Sequence, residues 1–242
     1  MEIINLKSSI PEENPESEIL KITDIKQAVK NQDRVNIFVN NKYSFSLNIA
    51  QVVDFKIKIG RELTEEELEE MKKASAFGKM YQRTLEWVLM RPRSIRETYD
   101  HLKQTTSKNK LKNKIAEEKE YKTRSPELDF ETMEEIVNRL IAKGYLNDEK
   151  FAEYYVENRF VKKGISKKRL KMELMKKGID SKIIENVLES GVRNDEEEIK
   201  KIIAKKRNKY DDEKLIAYLV RQGFSYDLVK DLVYSCSDST GA

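Results

Sequence analysis

The sequence predicts a mainly α-helical fold: a tandem array of three three-helix repeats, preceded by a small antiparallel β-containing N-terminal domain. The main observation is that residues 163–188 align without a gap on residues 208–233, with every apolar residue of the first segment meeting an apolar residue of the second. The composition, 38% hydrophobic and 37% charged, suits thin helical layers with much solvated surface. Such repeats bury a small apolar face against each neighbour, so we expect an elongated array that binds a large partner.

The first 76 residues are predicted to form a flexible lead-in, 1–18, and a small β/α domain, 19–76. Apolar and polar residues alternate over 19–25, 35–39 and 43–47, which indicates strands. Asn40 and Asn41 separate the last two strands and tolerate positive φ, so this pair is predicted to be a hairpin. A short helix near 50–55 follows. A second, acidic helix should begin at the capping box of Thr64 and Glu67 and end near Ala76.

From residue 77 onward the pattern is helical and divides into repeat 1 (77–147), repeat 2 (148–191) and repeat 3 (192–235), with a polar tail at 236–242. The third helix of each repeat carries apolar residues at i, i+1, i+4 and i+5, which form one stripe. Repeat 1 contains an insertion at about 103–127 that is rich in Lys, Thr, Ser, Asn and Glu. We expect a flexible loop there in preference to a long helix around 111–121.

Polar residues are placed where these helices should begin, and glycines where they should end. The predicted N-caps of the middle helices are Ser94, with Glu97 completing a capping box, Ser166 and Asp211. The glycines at which a left-handed residue would end a helix are Gly144, Gly164, Gly178 and Gly223.

The chain lacks the residue combinations of common catalytic sites. Its one histidine, His101, excludes triads based on histidine and zinc sites that need two histidines, and no Walker-type loop or dinucleotide fingerprint occurs. The acidic pairs at 148–149 and 211–212 are expected to serve helix N-termini and not a metal. We therefore expect no enzyme, no catalytic residue, no metal and no cofactor.

Cysteine content and hydropathy bear on the compartment. Cys236 is the only cysteine, which excludes an internal disulfide and fits a reducing environment. No segment has the apolar length of a membrane span, and the acidic start of the chain does not resemble a signal peptide. The expectation is a cytoplasmic protein without membrane contact.

The most unusual charge feature lies in residues 159–182, which hold ten basic and two acidic side chains. The first turn of the middle helix there is Lys167-Lys168-Arg169, three cations at the positive end of a helix dipole, whereas the aligned turn of repeat 3 contains Asp212 and Glu213. This placement costs about 1 kcal/mol, and an external anion would relieve it; the alternative is a merely solvated basic face. The candidate residues for binding a partner or nucleic acid are Arg91, Arg93, Arg96, Lys162, Lys163, Lys167, Lys168, Arg169, Lys171, Lys176 and Lys177.

Three segments give the chain a resemblance to a known family. Residues 91–94 (RPRS), 144–152 (GYLNDEKFA) and 173–179 (ELMKKGI) resemble the RecX family, regulators of the RecA recombinase, over about residues 77–233. The small N-terminal sheet resembles an extra domain of longer members. The chain departs from the family pattern at Thr98, where leucine is usual, and at the insertion in repeat 1.

The resemblance implies a non-enzymatic regulator of homologous recombination. Members bind RecA filaments on single-stranded DNA and limit filament growth, ATP hydrolysis and strand exchange. Some also bind DNA directly, so single-stranded and also double-stranded DNA are candidate partners, and we expect a monomer. Two alternatives remain open: a helix-turn-helix DNA-binding protein with 167–177 as recognition helix, acting mainly through phosphate contacts, and an adaptor that binds no nucleic acid.

Overall fold

The structure is a computed structural model in which residues 19–29, 31–118, 128–190 and 193–238 are described. The chain divides into an N-terminal body that ends at Gly78 and a C-terminal body that begins at Lys79. The predicted lead-in, residues 1–18, lies outside the described residues.

The N-terminal body is built on a four-stranded antiparallel sheet with strand order β3-β2-β1-β4. Asn40 and Asn41 have φ of 48° and 62°, so the predicted hairpin between β2 and β3 is confirmed. β4 was not predicted because two residues are too few to show an alternating pattern. The strands are β1 (Leu20–Gln27), β2 (Arg34–Val39), β3 (Lys42–Asn48) and β4 (Glu62–Leu63).

Two helices accompany this sheet, α1 (Ile49–Asp54) and α2 (Glu65–Leu89). The predicted capping box at the start of α2 is confirmed, since the Glu67 amide donates to Thr64 Oγ1 at 3.1 Å and the Thr64 amide donates to Glu67 Oε2 at 3.0 Å. The predicted end of this helix near Ala76 is wrong: α2 runs on to Leu89. Residues 70–80 contain no proline, and their one glycine, Gly78, is tolerated inside the helix.

The C-terminal body consists of three three-helix repeats, as predicted. The last part of α2 serves as the first helix of repeat 1. The other helices are α3 (Ile95–Glu118) and α4 (Phe130–Ala142) in repeat 1, α5 (Asp148–Asn158), α6 (Lys167–Lys176) and α7 (Ser181–Glu189) in repeat 2, and α8 (Asp195–Lys206), α9 (Asp212–Arg221) and α10 (Tyr226–Asp238) in repeat 3.

Repeats 2 and 3 each enclose a small apolar core, and the two cores use aligned positions. Leu170, Leu174 and Ile184 are fully buried in repeat 2, and their partners 45 positions later, Leu215, Leu219 and Val229, are fully buried in repeat 3. The sequence repeat therefore reflects a repeat of packing. The glycines predicted to end helices, Gly144, Gly164, Gly178 and Gly223, all have positive φ.

One expectation about an irregular segment is corrected. Within the insertion, residues 103–118 continue α3 as helix instead of forming a loop, because Leu102, Thr106 and Asn109 recur at helical spacing and are buried along one face. The rest of the insertion, 119–127, lies outside the described residues. The polar tail predicted for 236–242 begins within α10, which ends at Asp238, and residues 239–242 lie outside the described residues.

Candidate functional site

Successive repeats are joined through the N-caps of their middle helices. Ser94 Oγ accepts from the Glu97 amide at 3.1 Å and donates to the Lys177 carbonyl, at the C-terminus of α6, at 2.9 Å. Ser166 Oγ accepts from the Arg169 amide at 3.2 Å and donates to the Gln222 carbonyl, at the C-terminus of α9, at 2.7 Å. Each serine thus caps its own helix, as predicted, and also binds the next repeat.

A carboxylate adds a second contact at each of these two junctions. Asp148 Oδ1 accepts from the Ile95 amide at 2.9 Å, and Asp195 Oδ1 accepts from the Lys167 amide at 2.9 Å. Asp148 serves a helix N-terminus as predicted, since it lies in the first turn of α5, whose N-cap is Asn147, and its carboxylate also reaches the N-terminus of α3 in the preceding repeat. Burial raises the pKa of both aspartates despite these hydrogen bonds.

Glycines let the helix ends approach closely at both junctions. A Cβ on Gly178 would lie 2.7 Å from Arg96 Cδ, and a Cβ on Gly223 would lie 2.9 Å from Ser166 Oγ. Their φ values of +80° and +94° also disfavour any other residue. The C-terminus of one middle helix therefore lies against the N-terminus of the middle helix before it, an arrangement in which the two helix dipoles attract.

This arrangement changes the interpretation of the three cations at the start of α6. Their helix end faces the Asp195 carboxylate and the C-terminus of α9, so negative charge is already supplied within the chain. Arg169 also donates to Gln222 Oε1 at 2.5 Å and to Glu173 Oε1 at 3.3 Å. Groups of repeat 3 and the Glu173 carboxylate of repeat 2 therefore already relieve part of this positive charge within the chain, and binding of an external anion stays a prediction.

The junction between repeats 2 and 3 is further fixed by a buried ion pair. Arg193 and Glu198, with side chains 6% and 1% exposed, pair at 2.8 Å. Glu198 also accepts from the Ile165 amide at 3.0 Å and from Lys201 Nζ at 2.7 Å. The Arg193 guanidinium donates to three carbonyl oxygens at the end of α5 and just beyond it, those of Val156, Glu157 and Arg159.

Several of the predicted binding residues are engaged inside the molecule. Arg91 and Lys177 both pair with Glu97, at 3.4 Å and 2.5 Å, and Lys171 pairs with Glu185 at 3.0 Å. The Glu97 carboxylate thus serves this pairing in place of the second half of the predicted capping box. Arg93 lies with its guanidinium carbon 3.8 Å from the centroid of the Trp87 ring.

The same tryptophan stacks on the only histidine of the chain. The rings of Trp87 and His101 are 4.1 Å apart and nearly parallel. Burial and the nearby charges of Arg93 and Lys108 lower the pKa of His101. His101 is therefore half-buried against Trp87, and its expected lack of a catalytic role stays a prediction.

The remaining predicted binding residues are cations that make no ion pair among the described residues of repeats 1 and 2, and we call them the available cations. In the parts of repeats 1 and 2 that the structure describes, no carboxylate lies within ion-pair distance of them. Most are exposed, and Lys167 is half-buried. These residues are Arg96, Lys162, Lys163, Lys167, Lys168 and Lys176.

A surface cleft lies at each of the two junctions between repeats. The cleft between repeats 1 and 2 has a volume of about 390 Å³, and one acidic residue, Glu97, lies in its lining with Arg91, Lys177, Tyr154, Tyr155, Asn158 and Arg159. Burial and a hydrogen bond to Glu173 raise the pKa of Tyr155 to about 12. The cleft between repeats 2 and 3 has a volume of about 310 Å³ and is lined by Lys163, Ile202, Lys205, Lys206, Lys209 and Tyr218.

Comparison with known proteins identifies the family of this chain. Residues 20–64 match the regulatory protein RecX N-terminal domain, and residues 147–188 match the second three-helix domain of RecX. The chain is 32% identical over 216 residues to the regulatory protein RecX of Bacillus subtilis, covering 86% of this chain and 74% of that protein. The chain belongs to the RecX family. The RecX protein of Bacillus licheniformis is 30% identical over the same length, with the same coverage.

A solved RecX structure has the same fold. The crystal structure of a regulatory protein RecX superposes with a TM-score of 0.61 at 24% identity, covering 88% of this chain and 99% of that one. In the part of the chain that the structure describes, every helix is too short or too polar to cross a bilayer. Among those same residues, no group of three or more histidine, cysteine, aspartate or glutamate side chains is placed to hold a metal ion.

Sequence reasoning missed the lysines of the second cleft in this RecX-family chain. Lys205, Lys206 and Lys209 belong to a stretch, 200–209, with six basic and no acidic residues. That signal was available but is diluted by the acidic start of α8, where residues 195–198 are all acidic. In the folded chain the acidic turn lies at the N-terminal end of α8, whereas Lys205 and Lys206 lie at its C-terminal end and Lys209 just beyond it.

Proposed function

We propose that this protein is a non-enzymatic regulator of homologous recombination that binds the RecA filament on single-stranded DNA. By occupying the filament it limits filament growth, ATP hydrolysis and strand exchange. Membership of the RecX family supports the class of function, since its relatives are regulatory proteins. The contact surface is inferred from one observation. Among its described residues, repeat 2 has exposed cations with no carboxylate within ion-pair distance, above all Lys162, Lys168 and Lys176.

The way the repeats are joined favours this function over groove recognition of duplex DNA. A helix-turn-helix protein inserts the N-terminal residues of its recognition helix into the major groove. In this chain the N-terminus of α6 is covered by repeat 3, through Ser166 and the Asp195 carboxylate. The available cations are mostly lysines, which suit anionic surfaces better than base edges.

The proposal is tested by the ATPase activity of RecA filaments on single-stranded DNA, measured with increasing amounts of the protein. We expect the wild-type protein to lower ATP hydrolysis. The variant Lys162→Glu, Lys168→Glu, Lys176→Glu should need at least about tenfold more protein for the same inhibition, because each reversal replaces an attraction by a repulsion across the interface. Arg169 is left unchanged in this design because it pairs within the molecule.

A matched control carries the same change of charge elsewhere. Lys150, Lys182 and Lys230 are exposed lysines of α5, α7 and α10, and their reversal to Glu should leave inhibition close to that of the wild type. Far-UV circular dichroism checks that both variants keep their helix content. If the wild-type protein leaves filament ATPase unchanged at saturation, or if both triple variants lose inhibition equally, the proposal fails.

A further inference from the structure

We infer that the cleft between repeats 2 and 3 is a binding site for the phosphodiester backbone of single-stranded DNA. This inference deepens the proposed function and rests on it for the choice of strand. It concerns residues outside the basic surface of repeat 2 discussed above, apart from Lys163. The lysines that would contact phosphates are Lys163, Lys205, Lys206 and Lys209.

The charge of this cleft is uncompensated. None of its six lining residues is acidic, and in the described part of the chain none of the four lysines has a carboxylate within ion-pair distance. The neighbouring Lys201, by contrast, pairs with Glu198, and Arg207 pairs with Asp212. Four ammonium groups around one concave surface create a strongly positive local potential. Binding of an anion in the cleft therefore lowers the electrostatic energy.

The homologous cleft one repeat earlier serves as an internal comparison. There the cations Arg91 and Lys177 converge on the carboxylate of Glu97, which offsets one of their two positive charges. Arg169 occupies the position of Glu97 at the second junction, three residues after the capping serine in both cases. The same architecture therefore holds its own counter-ion at the first junction and lacks one in the lining of the second.

The cleft combines lysines with an aromatic ring. Lysine acts on phosphates as a point charge, and grooves that bind single strands combine such cations with aromatic side chains. Tyr218 forms part of the lining and stacks near Tyr210, with ring centroids 5.8 Å apart. Lys206 Nζ lies 4.7 Å from the centroid of Tyr218 and 5.3 Å from that of Tyr210, so its ammonium is held at the cleft by both rings.

The test measures DNA binding in the absence of RecA, so its result does not depend on filament inhibition. Fluorescence anisotropy of a labelled oligothymidylate is recorded at several salt concentrations with wild-type protein and with Lys205→Gln, Lys206→Gln, Lys209→Gln. Each phosphate contact contributes about 0.7 to the slope of log affinity against log salt for single strands. We expect the slope to fall by about 2 and the affinity at about 0.1 M salt to fall roughly 100-fold.

Two further variants test whether a loss of affinity comes from the charge of the cleft. Replacing the same three lysines with arginine should retain most of the affinity, because the charge remains. Replacing Lys150, Lys182 and Lys230 with glutamine removes equal charge elsewhere. This control should change the salt slope by less than about half of the contribution of one phosphate contact. Thermal melting checks that all variants are folded.

Two results would overturn the inference. One is that the glutamine variant of the cleft binds the oligothymidylate as tightly as the wild type, with the same salt slope. The other is that it keeps its DNA affinity but loses binding to free RecA, which would identify an acidic protein surface as the occupant. Loss of DNA binding without any effect of the wild-type protein on filament ATPase would support this site while contradicting the proposed function.

Discussion

Removing the carboxylate of Glu198 should strongly destabilise the junction between repeats 2 and 3. Glu198 is 1% exposed and accepts hydrogen bonds from the Ile165 amide, Arg193 and Lys201. In Glu198→Ala, the guanidinium of Arg193 stays buried without its counter-ion, and the Ile165 amide loses its acceptor. The three carbonyl contacts of Arg193 would remain.

The size of the effect follows from the cost of breaking a buried ion pair. Removing one partner of such a pair costs about 3 to 5 kcal/mol, and the surviving carbonyl contacts place this case near 3 kcal/mol. For a helical body of this size each kcal/mol shifts the melting temperature by about 2 to 4 °C. We therefore expect the unfolding transition that includes repeats 2 and 3 to fall by roughly 6 to 12 °C.

Urea denaturation followed by circular dichroism measures the change in the free energy of unfolding. The matched control is Glu197→Ala, which removes an exposed carboxylate from the same turn of α8 and should cost less than about 0.5 kcal/mol. Replacing both partners with apolar residues, Glu198→Leu with Arg193→Met, should restore much of the stability, because no buried charge is left unpaired. A Glu198→Ala variant as stable as Glu197→Ala would refute the reasoning.

The same pair gives a pH dependence. Burial opposes ionisation of Glu198, but the hydrogen bonds from Lys201, Arg193 and the Ile165 amide outweigh it, so its pKa lies below the ordinary 4.5. A carboxyl group with a lowered pKa in the folded state stabilises the protein above its unfolded pKa, and this stability is lost as the pH falls through the folded pKa. The stability difference between wild type and Glu198→Ala should therefore be largest near pH 7 and shrink below about pH 4.5.

Two further predictions concern the junctions. Gly178→Ala should lower the free energy of unfolding by about 2 kcal/mol more than Gly144→Ala does, because both have positive φ but only the new Cβ at Gly178 would meet Arg96; equal losses in urea denaturation would contradict the close approach. Asp195→Ala should cost about 1 to 3 kcal/mol by leaving the Lys167 amide without its acceptor, whereas Asp195→Asn should cost clearly less; equal melting temperatures for these two variants would show that the contact is not needed.

The local elements of this chain were predictable because their signals are short-range. The caps at Ser166 and Asp211, the hairpin at Asn40 and Asn41, and the capping box at the start of α2 each depend on residues within a few positions of one another. One error arose from reading composition as structure. The polar insertion after Leu102 was predicted to be a loop, although residues 103–118 extend α3.

The candidate binding residues were predicted by charge alone and stay a prediction, and the linear pattern did not show which of them pair within the molecule. For the cluster of Lys167, Lys168 and Arg169 the nearest anion in sequence is Glu173, but Asp195 and the C-terminus of α9 also lie against it in the folded chain. Conversely, Lys205 and Lys206 follow an acidic turn in sequence and are separated from it by the length of α8. Two charges interact according to the distance between them in the folded chain, and the order of residues in the sequence does not give that distance.

Residue identity at fixed spacing was enough to predict the three-helix repeat, the sites where most helices begin, the resemblance to the RecX family and the lack of a histidine-based catalytic set. The way the repeats are joined could be seen only in the folded chain: through serine caps, the carboxylates of Asp148 and Asp195, and the close approach of Gly178 and Gly223. The stacking of the helices also determines which cations pair within the molecule and which four lysines line one cleft. These contacts join residues more than 25 positions apart, so they depend on how the helices stack and not on any local pattern.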